Sequence, residues 1–376
     1  MAHCAVAGMT YEERGTSAKI GIVGNGWRAQ FFHRAAAALP NRLSVVGVVA
    51  RSASAAEAVA RDWRVPTFGS VGELVRRQRP DYLIVSVPRA SAPGLIVESV
   101  ELGLPVLTET PPATELDSLV ALWQSIRNPA MVQVAEQYLL YPGHAARLAL
   151  VESGAIGDPT SAHVSSTHDY HAVSMIRGFL GVGFEPAIVR ASAFVAPLAD
   201  PLSQKGWTGD DRPKPATTVL ATVDFAGRSG LYDFTDNQWH NQLRSRRVLV
   251  RGSLGELAGD EVVRLAGERT ILHSSIVRYQ SGYDLDLDGY DSEHLSFDGT
   301  VLWRNPFPGR RFSDEEIAIA TLLTRMSAFA AGDGPAPYPL AEGAQDHALA
   351  LAVAESVLKD IPIHVPRHPW ASASQP

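Results

Sequence analysis

Between Lys19 and about Gln137 the chain alternates short apolar runs with amphipathic stretches of helical period. The runs are KIGIV, LSVVGVV, DYLIVSV, PVLTE and MVQVAE. Between them lie WRAQFFHRAAAAL, SAAEAVARDW, GELVRRQ, PGLIVESVELG and ELDSLVALWQSI. Runs of Val, Ile and Leu without polar alternation suit strands covered on both faces, the condition of a parallel sheet. Parallel neighbours need a crossover, and an intervening helix supplies it. The pattern predicts an α/β fold: a doubly wound parallel sheet over residues 18–137.

The texture changes after Tyr141. One helix, HAARLALVESG, leads into longer alternating runs: TSAHVSSTH, AIVRASAFVAP, TTVLATVDFAG, SGLYDFTDNQWH and RRVLVRGSLGE. Alternation with one polar face predicts an open, mainly antiparallel sheet with one solvated or ligand-facing side, so residues 138–376 read as a C-terminal α+β domain. A final helix is expected at about 341–359, where LAEGAQDHALALAVAESVL carries a buried stripe. KGWTGDDRPKPA and AGDGPAPYP read as surface loops.

At 376 residues, with 45% hydrophobic and 19% charged, the chain can bury two ordinary cores. A net charge of -7 argues against a nucleic-acid partner. No apolar run reaches membrane-spanning length, so no membrane partner is expected. The single cysteine, Cys4, lies in an expected loose tail before about Ser17, and a reducing cytoplasm fits.

KIGIVGNGWRAQFF places Gly24, Gly26 and Ala29 in a G-x-G-x-x-A spacing between a strand and a helix. The first glycine permits the tight turn, and the second lets backbone amides approach a pyrophosphate at the helix N-terminus. Trp27 and Arg28 open that helix. The second run ends in Ala50, Arg51 and Ser52, without the acidic residue that would bond the ribose of NAD. Arg51 either pairs with the 2′-phosphate of NADP, with Ser52 beside it, or faces solvent. NADP is the preferred cofactor and NAD the alternative. Ser86 and Pro88, closing the third run, and Glu109, closing the fourth, complete the dinucleotide set.

Taken together, these segments resemble the Gfo/Idh/MocA oxidoreductases from about Lys19 to Val365. ELGLPVLTETP is similar to the family's A-G-K-H-V-x-x-E-K-P, and EQYLLYPGHAARLALVESGAIGDP to its passage into the second domain. RRVLVRGSLGEL and YPLAEGAQDHALALAVAESV are similar to late segments. The resemblance implies a Rossmann domain, an open sheet facing the nicotinamide, and redox chemistry on a hydroxyl or carbonyl of a sugar, polyol or related ring. It also implies a homo-oligomer, dimer or tetramer, paired through that sheet.

The catalytic motifs depart from the pattern. The E-K-P lysine falls on Thr110, which can donate a hydrogen bond but carries no charge. A D-x-G-x-H-x-x-D motif becomes THDYHAVS, in which Thr167, Asp169, His171 and Ser174 occupy the matching places and only the histidine is kept. A family histidine after SVP becomes Ala92. His171 is the candidate proton carrier, or else begins a helix; Asp169 is the candidate to orient it. Tyr138 and Tyr141 are either phenolic donors lining the substrate pocket or packing aromatics. His168, Asn237 and His240 are further substrate-side candidates.

Three rival readings fail on spacing. His163, His168 and His171 match no zinc pattern, and no metal is expected. DLDLDGYDSEHL offers Asp284, Asp286, Asp288 and Gly289, but Leu295 stands at the twelfth position where a calcium loop needs glutamate, so an acidic hairpin is expected. RGSLGE lacks a nucleophile elbow. The expectation is an NAD(P)-dependent oxidoreductase acting on a small polar substrate, a carbonyl, hydroxyl or imine. The alternatives are a silent dinucleotide-binding sensor or accessory protein, and a lyase or glycosidase with a retained cofactor.

Overall fold

The computed structural model describes residues 17–203, 205–282 and 290–374. The expectations for the tail with Cys4 and for the acidic stretch 284–289 lie outside the described residues. Six parallel strands, β1 (Ala18–Val23), β2 (Leu43–Val49), β3 (Thr67–Phe68), β4 (Tyr82–Val85), β5 (Val106–Thr108) and β6 (Val132–Val134), pair in the order β3-β2-β1-β4-β5-β6. Their crossovers are α1 (Trp27–Ala37), α2 (Ala53–Trp63), α3 (Val71–Gln78), α4 (Ala92–Glu101) and α5 (Leu116–Ser125). The expected Rossmann half is present. β3 is an addition: its two residues pair with Val48 and Val49, and so short a strand leaves no periodic signal.

The strand order reverses between β1 and β4, which opens a crevice at the carboxyl ends of the strands. Loops leaving β5 and β6 emerge side by side there. Thr108 pairs with Val134, and the Ala135 N–H donates to the Thr108 carbonyl at 2.7 Å.

From α6 (Pro142–Glu152) the chain enters β7 (Pro159–Ser165), α7 (Asp169–Leu180) and β8 (Ala187–Ala199). A small hairpin, β9 (Leu202–Ser203) and β10 (Gly206–Trp207), precedes β11 (Pro213–Asp224) and β12 (Ser229–Thr235). Next come β13 (Arg247–Gly252), β14 (Gly255–Ala258), β15 (Glu261–Gly267), β16 (Thr270–Ser275), β17 (Val277–Ser281), β18 (Asp291–Phe297) and β19 (Thr300–Arg304). The chain closes with α8 (Asp314–Ala330), α9 (Leu340–Lys359) and β20 (Ile363–Val365). The large sheet runs β16-β15-β14-β13-β7-β12-β11-β8-β20, antiparallel throughout except for β12 beside β7. β17, β18 and β19 form a separate three-stranded sheet.

One face of the nine-stranded sheet is sealed. Met175, Ile176 and Phe179 of α7, with Leu349 and Val353 of α9, pack on Val189, Val223 and Val250. Several expected strands end early. TSAHVSSTH stops at Ser165 because the following residues turn into α7, SGLYDFTDNQWH stops at Thr235, and RRVLVRGSLGE is the β13–β14 hairpin. KGWTGDDRPKPA is not all loop. Gly206 and Trp207 form β10, and residues from Pro213 onward extend β11 beyond β12, where an edge tolerates the prolines.

The 17-residue α8 was not anticipated, although a capping box announces it: Ser313 and Glu316 exchange backbone hydrogen bonds. Its Ile317, Leu322, Leu323 and Met326 pack with Ile20 and Phe32 in the Rossmann core. The C-terminal part of the chain therefore returns to complete the first half.

Candidate active site

A cleft of about 1680 Å³ runs between the Rossmann crevice and the large sheet. It starts at the glycine loop. Gly24 has φ +107, and a Cβ there would lie 2.1 Å from the Ser86 carbonyl oxygen, so only glycine fits. Gly26 caps α1 in extended backbone with no side-chain partner, and open space surrounds the position of its missing Cβ. The first-turn amides of α1 are thus left for an anion, and the residues present fit the pyrophosphate of a dinucleotide. Ala29 is fully buried in the Rossmann core, where its small side chain permits close packing of α1. Trp27, Ser86 and Pro88 line the cleft.

Arg51 lines the cleft at its nucleotide end and makes no ion pair among the described residues. Ser52 does not line it. Its hydroxyl caps α2 by accepting from the Ala55 N–H at 3.2 Å, because it is the last extended residue before that helix. Arg28 is engaged elsewhere than expected. Its guanidinium donates to Glu109 at 2.7 Å and to Glu315 of α8 at 3.0 Å, fastening three elements together at the cleft wall. Glu109 is thereby committed to Arg28 and to the Thr110 N–H, 3.1 Å away.

Thr110 faces the cleft without a cation in its own loop, and its carbonyl accepts the Tyr170 hydroxyl at 3.4 Å. Burial pushes the Tyr170 phenol up to about 12. The centre of the site is His171, which the first turn of α7 carries against the exits of β5 and β6. Its Nδ1 lies 2.5 Å from a carboxylate oxygen of Glu136, and the side chains are 10% and 3% exposed. The other Glu136 oxygen accepts the Tyr138 N–H at 3.0 Å. A carboxylate only accepts, so Nδ1 carries the proton and Nε2 is left for a ligand. Aromatic rings frame the imidazole: Tyr138 at 4.5 Å, Tyr170 at 4.4 Å and His168 at 5.3 Å between centroids.

Asp169 does not orient His171. It sits at φ 46, bonds His168 Nδ1 at 3.0 Å, and its carboxyl is held below the usual range chiefly by that bond. Adjacent residues at a helix start diverge, so the carboxylate reaching His171 comes instead from the end of β6. Asn237 is also absent from the cleft. Its amide donates to both Asp200 oxygens, at 2.9 and 2.7 Å, because a turn in left-handed backbone aims it at the β9 hairpin. His168, His240, Tyr138 and Tyr141 line the cleft as expected. Burial raises both phenols above their ordinary range. His163 lies apart, beside Asp233 at 3.8 Å. No group of three or more His, Cys, Asp or Glu side chains placed to hold a metal occurs among the described residues.

Residues that went unsuspected complete the site. Glu136 is one. Gln137 is 4% exposed and lines the cleft, with no partner for its Oε1 among the described residues. Tyr170, Trp239, Arg89, His144 and Arg246 are among the others. Glu136 could have been found: a carboxylate at the carboxyl end of a fully buried strand has to be solvated by something.

Residues 18–136 match the family described as "Oxidoreductase family, NAD-binding Rossmann fold". No curated protein sequence matches the chain. Among solved structures it resembles levoglucosan dehydrogenase in complex with NADH and levoglucosan. That likeness has 18% identity and a TM-score of 0.67 over 93% of this chain and 100% of the other. It resembles a myo-inositol dehydrogenase from Corynebacterium glutamicum at 17% and 0.63, over 94% and 100% of the two chains. An oxidoreductase from Agrobacterium radiobacter, complexed with NAD+, L-tartaric acid and magnesium, is similar at 14% and 0.64, over 93% and 98%. The likeness in fold covers the chain past the Rossmann half. No helix among the described residues is long and apolar enough to cross a membrane.

Proposed function

From the membership of this chain, through residues 18–136, in the Gfo/Idh/MocA oxidoreductases, we propose that it oxidises or reduces a hydroxyl or carbonyl of a small sugar- or polyol-like substrate with NADP. The observation that carries this is the Glu136–His171 pair, set in the same cleft as the glycine loop. The first-turn amides of α1 bind the pyrophosphate, and Arg51 pairs with a 2′-phosphate. When bound, the nicotinamide would supply a two-electron acceptor or donor. His171 Nε2 takes the proton from the substrate hydroxyl in the oxidative direction and returns it in the reductive one. Glu136 fixes the tautomer and ring plane and stabilises the imidazolium that forms. Thr110 donates a hydrogen bond where relatives of this motif place a cation, so the substrate oxygen gains less electrostatic stabilisation. An imine substrate needs less of it.

The chain works in a reducing cytoplasm as a dimer or tetramer. Phe194, Leu220 and Leu231, exposed on the uncovered face of the large sheet, form the self-association surface. A second reading, a dinucleotide-binding protein without turnover, is favoured by the uncharged Thr110 alone.

Fluorescence titration with NADPH and NADH tests the cofactor assignment. NADPH binding at least ten-fold tighter is expected, and Arg51→Ala abolishes the preference. Failure to bind either nucleotide overturns the oxidoreductase reading. Turnover across carbonyl, polyol and imine panels, lost in His171→Asn with nucleotide affinity kept, separates an enzyme from a silent binder. Thr110→Lys raises turnover of neutral polyols if charge alone is missing.

A further inference from the structure

Among the described residues, six arginines and no lysine line the cleft. Arg28 is neutralised by Glu109 and Glu315, Arg147 by Asp260, and Arg278 by a two-pronged contact with Asp314. The three acidic residues that line the cleft among the described residues, Glu109, Asp314 and Glu315, are all spent in these pairs. Arg51, Arg89 and Arg246 form no ion pair among the described residues, and Arg89 lies close enough to Asp169 to help hold its carboxyl low. Arg51 belongs to the nucleotide end. Arg246 therefore keeps an unpaired guanidinium at the substrate end of the cleft, which a neutral polyol would leave unanswered.

Arg246 is placed on the large sheet, immediately before β13. Alternation along that strand separates it from Arg247, which turns to the opposite face and meets Asp233 at 3.1 Å. Arg246 and Val248 face the cleft instead. Beside them His144 Nδ1 meets the Arg147 guanidinium at 3.0 Å. Arginine only donates, so this Nδ1 accepts, and a neutral His144 ring presents Nε2–H as a further donor. Burial and the neighbouring cations Arg147 and Arg246 depress this imidazole to about 3, which keeps it neutral. Near His171, the buried Gln137 Oε1 lacks a donor among the described residues.

We propose that the substrate is a small polyhydroxy anion whose carboxylate or phosphate is received by the Arg246 guanidinium and the His144 Nε2–H. Its reacting hydroxyl or carbonyl lies at His171 Nε2. The proposal rests on the reading of this cleft as a substrate site and narrows it to acids.

Calorimetric titration of D-gluconate, D-glucose 6-phosphate and D-glucose into the full chain, with and without NADPH, tests it. At least one anion should bind ten-fold or more tightly than glucose, with affinity falling as salt rises. Which anion binds separates a carboxylate from a phosphate. Arg246→Gln should weaken that anion at least ten-fold and leave glucose unchanged, while Arg246→Lys keeps part of the affinity. Unchanged thermal midpoints verify that both variants fold. Glucose binding as well as either anion, no anion binding at all, or an Arg246→Gln affinity within two-fold of wild type overturns the proposal. The nucleotide assays fail independently: anion binding lost in Arg246→Gln without any turnover sinks the oxidoreductase reading alone. Turnover confined to neutral sugars sinks this one alone.

Discussion

Replacing Glu136 by glutamine removes one charge and almost no volume. Glu136 uses separate oxygens for the Tyr138 N–H, at 3.0 Å, and for His171 Nδ1, at 2.5 Å. Glutamine has a single acceptor oxygen, so one of those donors loses its partner or meets an N–H. A hydrogen bond to a charged group contributes about 1.5–3 kcal/mol. Both side chains are nearly excluded from water, so solvent screens little of it. If the carboxylate acts mainly on the imidazolium formed during proton transfer, that energy appears in the barrier. At about 1.4 kcal/mol per factor of ten, kcat falls roughly 10- to 150-fold while nucleotide affinity holds. The assay is the steady-state rate of nucleotide reduction by Glu136→Gln, His171→Asn and the double variant. The double variant should be no slower than His171→Asn, because the carboxylate acts through the imidazole. A substrate-free check is the tautomer: long-range proton–nitrogen correlation on labelled histidine should find the His171 proton on Nδ1. A kcat within two-fold of wild type, an equal further loss in the His171→Asn background, or a proton on Nε2 would refute the reasoning.

Three other outcomes are expected. Because His144 is held from 6.5 down to about 3, the unfolded chain takes up a proton that the folded chain refuses as pH drops through this interval. This group therefore removes stability at about 1.4 kcal/mol per pH unit below its unfolded pKa, and His144→Gln should flatten the urea midpoint against pH there. Arg177 is buried between Asp346 and the part-exposed Glu342, both at 2.6 Å, so Arg177→Met strands the buried Asp346 carboxyl; a loss of about 3–5 kcal/mol in chemical denaturation is expected, with the NADPH affinity of the remaining folded protein unchanged. Gly24→Ala collides with the Ser86 carbonyl and should lower both thermal midpoint and nucleotide binding. Gly26→Ala meets open space and should weaken nucleotide binding alone.

The Rossmann half was legible because its determinants are local. Unbroken apolar runs such as YLIV can only be strands covered on both sides, and Gly24 and Gly26 stand between a strand and a helix where an anion needs them. Its sixth strand, β3, has only two residues and escapes any periodicity argument. His171 and the cleft tyrosines were accessible through motif and chemistry. Their partners were not, since sequence proximity suggested Asp169 while the carboxylate that reaches His171 stands 35 residues away.

The same limit governs charge. A sequence enumerates arginines without saying which are spent. Arg28 and Glu315 are 287 positions apart and meet at 3.0 Å, whereas Arg246 and Arg247 are neighbours that a pleated strand sends to opposite faces. Local backbone preference and hydrophobic period acted within each segment and determined its type. Which titratable groups lie within hydrogen-bonding range of one another depends on how α7, α8 and β6 converge. That convergence comes from burying apolar faces contributed by the whole chain, and the polar partners are brought together by it.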